Sequence, residues 1–176
     1  GNIPLTYGGR AEFMIQNVLA ATLACFVHGV SIEDLRVGLT TFNAGIAQTP
    51  GRLNFIEVGD ATVLMDYAHN PAGLTGLTNF VMKLPNKYRT IVLNVAGDRR
   101  DDDIREFGKI AADAFDRIVI RKGHYLRGRT AENIYTLLQE GIAQSENEPQ
   151  VRIIPDSRDA MAHAIKNCRK GELVVT

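Results

Sequence analysis

Asp66 and His69 stand three positions apart in Val63-Leu64-Met65-Asp66-Tyr67-Ala68-His69-Asn70-Pro71, between an apolar run and an Asn-Pro pair. A carboxylate in such a place can accept hydrogen bonds from ligand hydroxyls, and an imidazole can meet an anionic group. Further polar residues follow in Ala96-Gly97-Asp98-Arg99-Arg100 and in Leu126-Arg127-Gly128-Arg129. Cations gathered near an aspartate suit a nucleotide or another anionic ligand. The plainer reading stays open at this point: an aspartate closing a strand, a histidine in a turn and arginines in loops can be capping or solvated groups. For Asp101, Asp102 and Asp103 the plainer reading is preferred, because acids favour the opening turn of a helix.

These residues need elements to position them. The apolar run before Asp66 reads as a strand, Asn70 as an N-cap and Pro71 as a first helical residue. Leu74, Leu77, Val81 and Leu84 then recur at helical spacing, which predicts a helix over 71–84. Strand and helix go on alternating. Strands are expected at 90–95, 117–121, 151–154 and 173–175, with helices from Asp101, over 130–141 and through Ala160, Ala164 and Cys168. Repeated alternation predicts an α/β fold, a Rossmann-like and mainly parallel sheet with helices on both faces. In such a sheet the loops carrying Asp66 and His69, Asp98 and Arg99, and Arg127 converge on one edge.

Upstream, Leu53–Val58 and Ala61–Met65, split by Gly59-Asp60, predict a β-hairpin whose first strand runs antiparallel to the rest. Residues 1–9 read as extended. Helices are expected from Arg10 to Gly29 and from Ile32 to Thr41, the second capped by Ser31. Two helices without a strand make a poor domain, so 1–48 is expected to be a helical tail of a preceding domain and 49–176 an α/β domain. Asn43–Gly51 reads as the linker, with Arg52 directly after it.

The chain has 176 residues, with 20 basic and 20 acidic, so nothing in its net charge points to nucleic acid or a membrane surface. No apolar stretch approaches the roughly 20 residues a bilayer requires. Cys25 and Cys168 are expected to be buried free thiols in a reducing, cytoplasmic compartment. Four scattered histidines (His28, His69, His124 and His163) offer no metal-ligand spacing, and no phosphate loop, GxGxxG, HExxH or GxSxG motif occurs. His28 and His163 read as surface helix residues. The chain starts without Met and reads as a piece of something longer.

Asp66-Tyr67-Ala68-His69-Asn70-Pro71 resembles a signature near the start of the C-terminal domain of the Mur ligase superfamily of ATP-dependent amide ligases. Asn17-Val18-Leu19-Ala20-Ala21 is similar to the family's Asn-x-x-Ala-Ala helix, and Gly51-Arg52 to its post-hinge arginine. The resemblance implies that Asn17 reaches adenine, Arg52 the phosphates and Asp66 the ribose, and that His69 orders the turn or touches a phosphate. Arg52 and His69 would thus be catalytic, and Asn17, Arg52, Asp66 and His69 nucleotide-binding. Where the family usually has His-Asn, this chain has Phe13-Met14. Tyr7–Ala11, Ala96–Glu106 and Leu126–Arg129 look like segments of the cyanophycin synthetase branch, in which this half adds arginine to the β-carboxyl of aspartate. That branch implies ATP and Mg2+, with magnesium ligands upstream. It implies arginine and a poly-aspartate or cyanophycin primer as substrates, preceding Mur central and ATP-grasp domains, and a homo-oligomeric whole. Asp98, Arg99 and Arg127 are the candidate substrate contacts. Other Mur-type ligases, for peptidoglycan or folylpolyglutamate, are the alternative, although an Asp-Asn-Pro-Arg segment is missing. A catalytically silent binding or assembly domain is another.

Overall fold

The computed structural model describes residues 3–176. A 3-10 turn at Pro4–Thr6 leads into helices α1 (Glu12–Val27) and α2 (Ile32–Thr41). The α/β part then runs β1 (Asn54–Val58), β2 (Ala61–Met65), α3 (Pro71–Val81), β3 (Arg89–Leu93), α4 (Asp101–Ala114), β4 (Arg117–Ile120), α5 (Ala131–Ile142), β5 (Gln150–Ile153), α6 (Ser157–Lys166) and β6 (Leu173–Val175). Local capping chemistry sets several helix starts. Ser31, Asn70 and Thr130 each accept a hydrogen bond from the backbone N–H three residues on, and Pro71 occupies the first helical position of α3.

The six strands lie in the order β1-β2-β6-β3-β4-β5. β1 pairs antiparallel with β2 across a two-residue turn opened by Gly59 at φ 61°, and every other pairing is parallel. The last strand therefore lies inside the sheet, between β2 and β3. Helices α3, α4 and α5 cover one face, where Leu74, Phe80, Ile104, Phe107 and Leu138 pack on Leu64, Ile91, Leu93, Ile118 and Ile120. The other face holds α6, whose Ala160 and Ala164 lie on Val63, Val92, Val119 and Val174. Alternate strand residues thus serve opposite layers, as a sheet buried on both sides requires. Full burial of each such aliphatic side chain stabilises the fold by about 1.5–3 kcal/mol.

Of the stretch 1–9 read as extended, residues 1 and 2 lie outside the described residues, and Pro4–Thr6 form a 3-10 turn instead. After the 3-10 turn, Tyr7 adopts a left-handed conformation (φ 50°), and its ring lies 5.2 Å from Phe80 and 5.5 Å from Phe55. Its hydroxyl donates to the Leu53 carbonyl at 2.7 Å, so residues before α1 are fastened to the α/β part. Phe13 of α1 abuts Gly76 of α3, and Lys83 donates to Glu12. Helix α1 otherwise leaves Leu19, Leu23, Phe26 and Val27 exposed. The cysteines also differ from expectation: Cys25 is exposed and Cys168 half-buried beyond the end of α6, and both are free. The apolar pattern around Cys25 is real, but its outer face has no covering layer among the described residues.

Below the sheet, Glu172 is 1 % exposed. It accepts from the Thr90 hydroxyl, the Arg169 N–H and the Arg117 guanidinium, which ties the turn before β6 to β3 and β4. Burial pushes this carboxyl up, but the Arg169 N–H, Thr90 and Arg117 outweigh it and hold the pKa below the ordinary value. A depressed carboxyl stabilises the fold above its unfolded-state pKa, and that contribution is lost as the pH falls through the folded-state value. Glu172→Gln should cost about 3 kcal/mol near neutral pH by stranding Arg117. Urea midpoints of the two proteins should converge as the pH is taken from about 7 to about 3.

Candidate functional site

Asp66 is the first residue past β2, and its N–H donates to the Thr176 carbonyl beyond β6 at 2.9 Å. Its Oδ2 accepts from the Leu53 N–H at 3.1 Å. Leu53 is wholly buried and left-handed at φ 48°, a conformation that costs a branched residue about 1–2 kcal/mol. The residue after Arg52 is therefore held in its bend from two sides, by the Asp66 carboxylate at its N–H and the Tyr7 hydroxyl at its carbonyl. Burial pushes the Asp66 carboxyl above its ordinary pKa, against the Leu53 N–H, the nearby Arg52 charge and the Ala68 N–H.

Asn17 of α1, Arg52 past the linker, and Asp66 and His69 of the β2–α3 loop line one cleft of ≈ 480 Å³. Its wall is completed by Phe13 and Met14 and by the opening turn of α3. The Arg52 guanidinium stands 5.1 Å from the Tyr67 ring, and the Tyr67 and His69 rings are 5.4 Å apart. His69 Nδ1 lies 3.1 Å from the Tyr67 carbonyl, which orients the imidazole. Among the described residues the Asn17 amide meets only the Met14 sulfur, at 3.6 Å, a weak acceptor that leaves the amide able to engage a ligand. Tyr67 went unremarked in the sequence, yet it is the platform on which the cation and imidazole are arranged; an aromatic between an acid and an imidazole was the available signal.

The other sequence candidates lie elsewhere on the same sheet edge. Asp98 is exposed, 4.0 Å from Arg99 Nε, and Arg127 is exposed and left-handed, 5.4 Å from the Tyr125 ring. None of Asp98, Arg99 and Arg127 lines the cleft with Asp66. Arg129 is a brace: it donates to the Gly97 and Arg99 carbonyls and to Asn133, and pairs with Asp101 at 2.6 Å. Asp102 and Asp103 pair with Arg105 and Arg100. Gly97 also donates to the Tyr125 carbonyl, and any Cβ there would fall 1.8 Å from the Leu126 oxygen. The loops after β3 and β4 are thus lashed together. Among the described residues no group of three or more His, Cys, Asp or Glu side chains could hold a metal ion.

Residues 51–176 match the family described as Mur ligase, glutamate ligase domain. The chain belongs to the Mur ligase family. A cyanophycin synthetase of Crocosphaera subtropica is 44% identical over 174 residues, 99% of this chain and 20% of that protein. A UDP-N-acetylmuramoyl-L-alanyl-D-glutamate–2,6-diaminopimelate ligase of Geobacillus kaustophilus is 27% identical over 93% of this chain and 32% of its own length. Among solved structures, Escherichia coli FolC in complex with ADP superposes with a TM-score of 0.69 at 22% identity, covering 90% of this chain and 35% of that one. This Mur ligase chain spans about one fifth of the length of the cyanophycin synthetases it matches.

Two outcomes are expected from this geometry. An aspartate whose folded-state pKa is raised destabilises the fold where it is ionised, and the cost vanishes as the pH falls below its unfolded-state value. Asp66→Asn, which keeps an acceptor for the Leu53 N–H, should therefore raise the melting temperature near about pH 7 and bring little gain near about pH 3. Gly97→Ala should destabilise by at least about 1–3 kcal/mol in urea titrations, because the Leu126 backbone would have to move.

Proposed function

We propose that this chain is the nucleotide-closing part of an ATP-dependent amide ligase, of the kind that adds arginine to the β-carboxyl of aspartate in cyanophycin synthetases. The observation that supports it is the convergence of Asn17, Arg52, Asp66 and His69 from three separate segments on one cleft, in a chain 44% identical to a cyanophycin synthetase over nearly its whole length. On this reading residues 1–48 are the helical tail of the preceding Mur central domain, and 49–176 form the C-terminal domain. The apolar exposure of Leu19, Leu23, Phe26 and Val27 supports the division, since a helix apolar on all sides calls for burial on more than one.

The residues present fit a nucleotide. Asn17 offers an amide to a base, Asp66 lines the cleft with a carboxylate that can accept from a ribose hydroxyl, and Arg52 places a cation beside the phosphates. On this reading the magnesium ligands belong to the preceding domain. In such a ligase a carboxylate would take the γ-phosphoryl group of ATP, giving an acyl phosphate and ADP, and the α-amine of the incoming amino acid would then displace phosphate to form the amide. Arg52 lowers the energy of charge developing on the phosphoryl oxygens, with Tyr67 fixing its direction, while Asn17 and Asp66 hold the nucleoside in register. Positioning and electrostatics carry most of the catalysis in phosphoryl transfer. Phe13, in place of the usual histidine, contributes an apolar wall packed on Gly76.

The test is ATP affinity of the full-length protein. Asp66→Ala should weaken it by about 10–100-fold, the range for losing a charge-assisted hydrogen bond or two, and Arg52→Ala should do the same. Unchanged affinity in both variants would leave a silent binding domain as the better account. The isolated 176 residues are expected to show no amide formation with ATP, aspartate primer and arginine.

A further inference from the structure

Asn54, the first residue of β1, buries a polar amide: the residue is 1 % exposed. Both ends of that amide are spent on the backbone around Arg52. Its Oδ1 accepts from the Gly51 N–H at 2.7 Å, and its Nδ2 donates to the Arg52 carbonyl at 3.1 Å. The two bonds need opposite roles, an acceptor and a donor, so they fix which way the amide is turned. In the short loop it closes, Arg52 sits between two left-handed residues, Gly51 at φ 72° and Leu53 at φ 48°.

The neighbouring backbone groups are held as well. The Arg52 N–H donates to the Thr49 carbonyl at 3.2 Å, the Leu53 N–H to Asp66, and the Leu53 carbonyl accepts from the Tyr7 hydroxyl. Arg52 itself is exposed, whereas Leu53 and Asn54 directly after it are buried. Entry into a strand does not demand such a frame, since a left-handed branched residue is strained and persists only where its surroundings hold it. Among the described residues three non-glycine residues are left-handed, and two of them, Tyr7 and Leu53, are bonded to each other across 46 positions. The Tyr7 ring would pack on Phe55 and Phe80 without its hydroxyl, so what the hydroxyl adds is the bond to Leu53. Polar groups from three segments thus converge on the backbone that carries one exposed cation.

We infer that Asn54 and Tyr7 are positioning residues, which together hold the Gly51–Leu53 backbone in the bend that aims the Arg52 guanidinium into the nucleotide cleft. The inference rests on the ligase reading above, in which Arg52 serves the phosphates. Neither Asn54 nor Tyr7 lines that cleft, so each acts through Arg52 and not on the nucleotide. An arginine on a free loop samples many directions and must give up that freedom when it meets an anion; a backbone fixed beforehand spares much of that cost. The bend delivers the guanidinium to the Tyr67 ring, 5.1 Å away. Because Tyr7 precedes α1, phosphate binding also becomes dependent on how the amino-terminal segment is seated.

The experiment measures affinity for ATP and for adenosine in the full-length protein, comparing wild type with Asn54→Ala and Tyr7→Phe, each also combined with Arg52→Ala. Each of the two single variants should weaken ATP binding by about 3–10-fold, the range for losing one or two neutral hydrogen bonds, and leave adenosine binding unchanged. In the Arg52→Ala background neither should weaken ATP binding further, because the side chain they direct is gone. Equal losses for ATP and adenosine, losses that persist at full size without Arg52, or no loss would overturn the proposal. Tyr7→Phe keeps the ring and removes one hydroxyl, so it decides the matter where Asn54→Ala fails to fold. If wild-type protein binds neither ligand, the nucleotide reading fails by itself, and inorganic tripolyphosphate becomes the probe. Arg52-dependent binding that is weakened in Tyr7→Phe then supports the positioning role, and equal or absent binding overturns it.

Discussion

The sheet is joined by its shortest strand. β2 and β3 do not pair with each other; each pairs with β6, so Leu173–Val175 alone connects the hairpin to the β3–β5 half. Closure must wait for residues more than a hundred positions downstream of β2, a long-range contact whose loop-closure entropy has to be overcome before the pairing returns anything. Two polar devices guard it. Glu172 secures the entry to β6 from below, and the Thr176 carbonyl receives the Asp66 N–H at its exit. The residue at the centre of the candidate site is thus placed by the same strand that completes the fold.

Asp66 has two tasks that pull against each other. Its carboxylate holds Leu53 in a left-handed bend directly after Arg52, and the same group lines the cleft. A carboxylate kept partly desolvated for this purpose makes the fold less stable than it could be, which is the usual cost of a preorganised site. In return, the position of Arg52 is coupled to the floor of the cleft through a single peptide unit. Tyr7 reinforces the bend from the opposite side and carries the amino-terminal segment with it.

Charge is used in two ways along the sheet edge. Arg129, Arg100, Arg105 and Asp101–Asp103 neutralise one another and stiffen the start of α4. Arg52 instead lines the cleft beside the Asp66–His69 strip, with its guanidinium at the Tyr67 ring. The paired set braces the loops, while Arg52 faces the cleft.

Much of this was legible locally. Ser31, Asn70 and Thr130 announce helix starts because a cap is a contact over three residues, and the hairpin, the parallel alternation and the segment Asp66–Pro71 are likewise short-range patterns. Arg52 and Asp66 could be placed on one site through the resemblance of their motifs. What periodicity could not convey was the insertion of β6 between β2 and β3, the conversion of Arg129 into a brace, and the exposure of Cys25 on an apolar helix. Each depends on which distant groups meet: strand order on pairings across the whole chain, an arginine's role on whether a carboxylate arrives beside it, and burial on whether another layer covers the face. Those outcomes belong to tertiary packing, because no residue carries its partner's position in its own type or spacing.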